Sequence, residues 1–504
     1  MMESTGNAAI FEQARARIAR PFGHFINGLW EAGSGEPIAV VNPATEQPIG
    51  SIAAGGEAEV DRAVAAARQR FESAEWTRMP AAERERLLLR LADLVERDRD
   101  ELAAIETLDN GMPFAPARMM AVGSAISAIR YNAGWARRMT GEEAPVSVPG
   151  RWHGYTSREP LGVAALIVPW NAPFAITCNK VSAALAAGCT VVLKPAELAP
   201  MSGLRLAELV QEAGFPDGCL NVVTGLGAQA GAALVRHPGV DKISFTGSTA
   251  TGQSILRETA GRLTRVSLEL GGKSAVLVFP DADLEKAIPA VAMGIFGNSG
   301  QVCAAGSRLF LHDSVFDRFV TGLVDFAEKL MVGPGDQPGV ALGPLISAGQ
   351  KERVMGYIAA GEAEGAQIAT RGSAPDEPGY FVKPTIFVDT RPDMRIVREE
   401  IFGPVLSVMR FSDDNLENLA RQANDSIYGL SAYVWTRDLS TAHAMARYLR
   451  AGSVKVNGSG MEFALPFGGF KQSGIGRENG PRGGGSLYRK EVGNDRLVMV
   501  WTAL

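Results

Sequence analysis

The chain has 504 residues, more than one hydrophobic core normally fills, so two large domains are expected. With 46% hydrophobic and 21% charged residues the composition is that of an ordinary globular protein, and a formal net charge of -5 without a long basic run argues against nucleic acid as a partner. Four cysteines without a CxxC pair and five scattered histidines argue against a disulfide frame and a bound metal, and point to a reducing, cytoplasmic setting.

In chain order, the start carries Glu3 and no apolar stretch of signal-peptide type. Residues 57–70 and 81–97 show apolar positions three and four apart with charges between, the pattern of amphipathic helices. Residues 140–160 contain Pro145, Pro149 and Gly150 and read as an extended excursion. From Leu161 short β-rich runs alternate with helical ones: strands at 163–168, 190–193, 220–223, 242–245, 266–268 and 275–279, helices at 175–187, 202–213 and 228–237. This alternation predicts a parallel, doubly wound α/β sheet. The apolar runs are too short to span a bilayer, so no membrane is expected as a partner. A second βα region runs from Asp283 to about Pro466, with strands at 308–311, 385–388, 405–410, 432–435 and 453–456. Residues 487–501 read as a strand-like tail. With 140–160 it is expected to form an added sheet that pairs with another subunit, although an edge hairpin within one monomer fits the same residues.

Three loops at the carboxyl ends of predicted strands lie where open α/β sheets bind ligands: Pro169-Trp170-Asn171, Lys194-Pro195-Ala196-Glu197 and Phe245-Thr246-Gly247-Ser248. Gly247 and Ser248 would open a helix whose first amides can meet a phosphate. The GxGxxG fingerprint is absent, and a plain strand-turn-helix junction explains the loop equally well. Glu197 beside Lys194 could accept from ribose hydroxyls, and its charge would repel a 2′-phosphate; this favours NAD, with NADP possible. Taken alone, Lys194 fits a solvated lysine at a strand end.

Two further residues carry chemistry. Cys303 follows Gly300-Gln301-Val302 and precedes Ala304-Ala305-Gly306-Ser307, small residues that suit an exposed turn. Cys178, Cys189 and Cys219 sit in apolar elements and read as small buried hydrophobes. Glu269 lies between Leu268 and Leu270, ahead of Gly271-Gly272. A carboxylate in such a setting has its pKa raised into the range useful to a general base. A thiol nucleophile and a separate base are what oxidation of an aldehyde through a thioester requires. Asn171 carries an amide that could join the Cys303 backbone N–H in holding an oxyanion.

These segments, together with Glu269-Leu270-Gly271-Gly272-Lys273, Glu400-Ile401-Phe402-Gly403-Pro404 and Pro466-Phe467-Gly468-Gly469-Phe470-Lys471, occur in the order of the aldehyde dehydrogenase superfamily, which the chain resembles over nearly its whole length. The resemblance implies Cys303 as nucleophile, Glu269 as general base and Asn171 as oxyanion donor, with Lys180 and Glu478 linked to proton movement near the base. It also implies a cofactor site of Ile167, Pro169, Trp170, Lys194, Glu197, Gly227, Phe245, Thr246, Gly247, Ser248, Leu270, Glu400 and Phe402. The implied fold is a Rossmann-type cofactor domain (1–139 and 161–270), a second α/β catalytic domain (271–466) and an oligomerisation arm (140–160 and 484–504), assembled as a dimer or tetramer.

Ala172 and Asn179 stand where many family members carry aromatic rings. The expectation is a roomier pocket, walled by residues such as Ala172, Phe174, Val302 and Phe467, with Met461 and Phe463 nearby, for a bulky aromatic, terpenoid or longer aliphatic aldehyde. For Phe174, Met461, Phe463 and Phe467, ordinary core packing is at least as good a reading. Glu462 is the one charge in 457–465, which weakly disfavours a dicarboxylic semialdehyde. Three alternatives stay open: a CoA-acylating relative, against which Glu269 argues, a non-catalytic NAD-binding protein, and a thiol esterase using the same cysteine without NAD.

Overall fold

The computed structural model describes residues 2–480 except 146, 150, 372–374, 376, 377, 413 and 414, together with 497–500. Two eight-stranded sheets organise the chain. The first runs Gly474–Ile475, Arg265–Glu269, Lys242–Thr246, Val163–Ile167, Thr190–Lys194, Leu220–Val222, His24–Ile26, Leu29–Glu31. Its five central strands are parallel, as the alternating pattern predicts. Strands such as Val163–Ile167 and Thr190–Lys194 are buried at all five positions, as required when helices cover both faces. One face packs on Glu57–Glu72 and Ala232–Arg236, the other on Ala81–Arg97, Pro173–Ala187 and Met201–Ala213.

The second sheet runs Gln367–Ile368, Thr385–Val388, Val405–Phe411, Arg308–His312, Ala275–Val278, Ser431–Trp435, Ser453–Val456, Leu497–Val500. The strand Ala275–Val278, which continues the first run of strands in sequence, lies at the centre of this second sheet instead. The chain therefore crosses from one sheet to the other within 270–274. The amphipathic pattern gave no sign of the hairpin His24–Ile26 and Leu29–Glu31, which extends the first sheet antiparallel. These strands are only three residues long, too short for a period-two pattern to register.

The segments expected to share one added sheet lie on separate ladders within a single chain. Glu143–Ala144 pairs with Gly154–Tyr155, whereas Leu497–Val500 runs parallel to Ser453–Val456; the rest of 484–504 lies outside the described residues. Among the described residues no helix is long and apolar enough to cross a membrane, and no group of three or more His, Cys, Asp or Glu is placed to hold a metal.

A late segment closes the structure over the end of the first sheet. Gly474–Ile475 pairs antiparallel with Leu268 and Glu269, and Leu270 N donates to Ser473 O at 2.9 Å. Ser473 Oγ accepts from Gly429 N at 3.0 Å, and Phe470 N donates to Gly429 O at 2.9 Å, so the same segment is tied to the second sheet's loops. Gly474 has φ +148°, and a Cβ there would sit 2.1 Å from Leu268 O. Gly474→Ala is therefore expected to lower stability by about 1–3 kcal/mol in urea unfolding, because backbone rather than a flexible side chain must give way.

Candidate active site

The two candidate reactive residues stand at facing sheet edges. Glu269 is the last residue of Arg265–Glu269, at the carboxyl edge of the first sheet. Cys303 lies on the loop leading into Arg308–His312, at the amino edge of the second. That loop turns through Asn298 and Ser299 at φ 51° and 53° and Gly300 at φ 73°. A Cβ on Gly300 would lie 2.0 Å from Gly403 O, so the turn is pressed against 400–404 and only glycine fits.

Asn171 fastens this loop to the first sheet. Its Nδ2 donates to Gln301 O at 2.8 Å, and Asn298 Nδ2 donates to Asn171 O at 2.7 Å. One amide hydrogen of Asn171 is thus committed and one remains. Asn110 Nδ2 donates to Trp170 O at 2.5 Å, holding the same turn from below. Gln301 Oε1 accepts from Ile346 N at 3.0 Å. These clamps set the approach to Cys303, the half-buried thiol; Cys178, Cys189 and Cys219 are fully buried. Burial, then the charges of Glu400 and Glu269, push the Cys303 thiol up to about 12.

Glu269 is 3% exposed, and neither carboxylate oxygen has a hydrogen-bond partner among the described residues. Burial, reinforced by the Glu478 charge, holds its carboxyl well above the usual carboxylate range, against the pull of Lys180 and Arg477. Gly468 makes room for it: a Cβ there, at φ +150°, would stand 2.8 Å from Glu269 Oε1. Lys180 and Glu478, 298 positions apart, form an ion pair beside it. Ser244 joins them, accepting from Lys180 Nζ at 2.7 Å and donating to Glu478 Oε1 at 3.2 Å. Glu478 is placed by reciprocal backbone bonds with Phe467, both 2.7 Å.

The expected cofactor residues gather around the carboxyl edge of the first sheet. Strand order reverses beside Val163–Ile167, whose neighbours are Thr190–Lys194 and Lys242–Thr246. Such a reversal opens a crevice for a ligand. Ile167 ends that strand, with half-buried Pro169 and Trp170 just beyond. Lys194 Nζ pairs with Glu197 Oε2 at 2.7 Å, and Gly227 N donates to Glu197 Oε1 at 3.3 Å. Burial works against the Glu197 charge, but Lys194 outweighs it and the carboxyl lies below its ordinary value. Ser248 caps Thr249–Ala260, its Oγ accepting from Thr251 N at 3.2 Å. Thr246 and Gly247 are half-buried at the same helix entrance. The Phe245 ring lies under Gly247 and Leu270 lies against Gly252, where added Cβ atoms would come to 2.5 and 2.6 Å. Across the gap, Glu400 Oε1 accepts from Gly272 N at 2.8 Å, and the Phe402 ring meets Trp170 edge-on at 5.4 Å.

One expected pocket residue is corrected. Phe174 is fully buried in the core beneath the first sheet, because the helix Pro173–Ala187 turns its first ring inward. Val302 and Met461 are exposed, and Ala172, Phe463 and Phe467 half-buried. Asn179 accepts from Asn132 Nδ2, through its backbone O at 3.2 Å and Oδ1 at 3.4 Å, and so leans on the helix Gly123–Trp135. Sequence reasoning missed Asn110, Asn298 and Gly468, whose contribution is a contact across the fold; Arg477, beside Glu478, had a visible signal as a charge next to an assigned one.

Comparison with known proteins now bears on this geometry. Residues 30–490 match the family model described as "Aldehyde dehydrogenase family". A mitochondrial aldehyde dehydrogenase of Leishmania tarentolae is 49% identical over 459 residues, 90% of this chain and 91% of that one. A phenylacetaldehyde dehydrogenase of Pseudomonas fluorescens is 46% identical over 468 residues, 91% and 93% of the two chains. The NAD+ complex of an aldehyde dehydrogenase from Bacillus cereus superposes with TM-score 0.91 at 45% identity, covering 93% of this chain and 95% of that one. The chain belongs to the aldehyde dehydrogenase family.

Proposed function

We propose that this chain oxidises a bulky apolar aldehyde to its carboxylic acid with NAD, using Cys303 as nucleophile and Glu269 as general base. The observation that carries the reading is Glu269 itself: a buried carboxylate with no hydrogen-bond partner among the described residues, whose charge is felt by the half-buried Cys303 thiol. An unpartnered carboxylate is costly to bury, and a base awaiting a proton gives it a use.

The residues fit the cofactor. Lys194 and Glu197 would hold the adenosine ribose, the capped helix start at Gly247 and Ser248 the pyrophosphate, and Glu400 the second ribose, with Phe402 and Trp170 beside the ring. A dinucleotide complex of a family member at 45% identity supports this. Bound NAD supplies the hydride acceptor.

The Cys303 S–H bond gives its proton to the Glu269 carboxylate or to water, the sulfur attacks the carbonyl carbon, and Asn171 donates its free amide hydrogen to the oxygen that becomes anionic. Once the carbon has been oxidised to a thioester, Glu269 takes a proton from water, and the resulting hydroxide releases the acid and restores the thiol. The Lys180, Glu478 and Ser244 network beside Glu269 offers that proton a path outward.

The apolar preference rests on small Ala172 and polar Asn179 in place of larger rings, and on exposed Val302, next to Cys303 in the chain, and exposed Met461. Similarity to a phenylacetaldehyde dehydrogenase supports an aromatic substrate. Residues 140–160 carry exposed Val148, Trp152 and Tyr155, which supports their use as an arm between subunits.

A panel of aldehydes followed as NADH absorbance tests the reading. Cys303→Ala is expected to lose turnover by about 10⁴-fold or more while still binding NAD, and phenylacetaldehyde should be used with a higher kcat/KM than acetaldehyde. A preference for acetaldehyde would overturn the substrate assignment. Glu269→Gln is expected to lower kcat by about 10²–10⁴-fold. The wild-type rate should rise with pH through a pKa above the ordinary carboxylate range, since the base works only when deprotonated, and the variant should lose that limb. The same raised pKa means that folding above the ordinary carboxylate pKa requires uptake of a proton, so stability falls as pH rises. The Gln variant should therefore melt no lower than wild type at pH 8. Glu197→Gln is expected to narrow the NAD-over-NADP ratio in kcat/KM by about tenfold, measured with both cofactors.

A further inference from the structure

A cavity at the amino edge of the second sheet takes no part in the catalytic reading. The parallel strands Ala275–Val278, Arg308–His312 and Ser431–Trp435 start side by side there, with Ala275 opposite both Arg308 and Ala432. Lys273 and Ser274, the two residues before the first of these strands, line the cavity together with Arg308, which opens the second. Asn424, Tyr428 and Arg450 line it as well, and the exposed Arg450 with half-buried Tyr428 and Asn424 gives it a mouth. The interior has about 20 Å³ for the centre of a water-sized group. None of the candidate catalytic or cofactor residues lines it.

The lining is electrically one-sided. Lys273, Arg308 and Arg450 are cations, and no Asp or Glu lines the cavity. Lys273 and Ser274 are 2% and 3% exposed, and neither Lys273 Nζ nor Ser274 Oγ has a hydrogen-bond partner among the described residues. Arg308, also buried, donates from Nε to Lys273 O at 2.9 Å and from Nη2 to Ala423 O at 2.8 Å. It therefore fixes the lysine's backbone and brings a second buried charge to the same place. Glu400 accepts from Gly272 N at 2.8 Å, one residue ahead of the lysine. Burial, then the Arg308 charge, pull Lys273 down to about 7; Glu400 and Glu399 work in the opposite direction, and Arg353 adds to the repulsion. Burial lowers Arg308 to about 10, with Asp425 and Arg398 acting on it in opposite senses, so it stays charged at neutral pH. A buried ammonium and hydroxyl without an acceptor are costly, and an anion would supply one acceptor to both.

We infer that this cavity is a binding site for a small monovalent anion of chloride size, accepting from Lys273 Nζ and Ser274 Oγ beside the Arg308 guanidinium. The space is too small for phosphate or a carboxylate ligand with a chain behind it, whereas a halide needs little more room than water. The anion pairs with the protonated lysine, so binding is linked to proton uptake. The fraction of Lys273 that is charged falls tenfold for each pH unit above about 7, and the apparent affinity falls with it. The site does not depend on the role given to Cys303.

The test is thermal melting of the full-length protein without cofactor, titrated with sodium chloride at constant ionic strength against sodium gluconate, whose anion is too large for the cavity. At pH 6 the melting temperature is expected to rise saturably with chloride. At pH 8 the chloride concentration giving half the rise should be about tenfold higher. Lys273→Met should abolish the rise while melting no lower than wild type in gluconate, because it removes a buried charge. Ser274→Ala should move the half-point to higher chloride. In crystals soaked in sodium bromide, the anomalous peak of the heavier halide is expected in the cavity beside Lys273 Nζ and Ser274 Oγ. No saturable rise in wild type overturns the site. A rise kept by folded Lys273→Met means chloride on the surface only and overturns it too, as does bromide found only outside the cavity. Should the Met variant not fold, Ser274→Ala and the bromide position decide by the same criteria.

Discussion

The pairing of Gly474–Ile475 with Leu268 and Glu269 is the constraint on which the site depends. It draws a segment from near the end of the described chain onto the carboxyl edge of the first sheet. Because backbone hydrogen bonds set its register, every neighbour on that segment is placed with it: Gly468 against the Glu269 carboxylate, Phe467 paired with Glu478, and Glu478 against Lys180. A one-residue slip would turn each side chain to the opposite face. The contacts of Ser473 and Phe470 with Gly429 carry the same register to the second sheet. The two candidate residues, Cys303 and Glu269, one at each sheet edge, are thereby brought to facing edges.

Burial then decides what each charge does. Lys180 and Glu478 are paired and bonded to Ser244, so their charges are satisfied where they lie. Glu269, which feels both charges, has no hydrogen-bond partner among the described residues, and burial raises its proton affinity. The same logic separates Cys303 from the three other thiols: each is raised by burial, but only Cys303 is half-exposed, with Glu269 within electrostatic reach.

Much of the fold could be read in the chain because its strands are buried on both faces. Continuous apolar runs such as 163–167 and 190–194, separated by helical periods, leave little choice but a parallel sheet. What escaped was short or paired by context. The hairpin at 24–31 has three-residue strands, and Ala275–Val278 looks like its predecessors although it belongs to the other sheet. The motif residues stand along the facing sheet edges, whereas Phe174, named for the pocket with core packing as an equal reading, lies in the core. Adjacency in sequence does not say which way a helix faces until its packing partners are known.

The sequence by itself determined the alternation of strands and helices, the strand-end loops, the chemistry of the candidate thiol, base and amide, and the family resemblance. These are local properties, written in side-chain type and spacing. Only the tertiary structure decided that Glu269 has no hydrogen-bond partner among the described residues, that Lys180 meets Glu478 across 298 positions, and that Tyr433 bonds to Ala304 beside Cys303. Each of these depends on which strands become neighbours and which groups lose their water. Burial and electrostatic pairing are set by the assembled fold, and no single segment carries them.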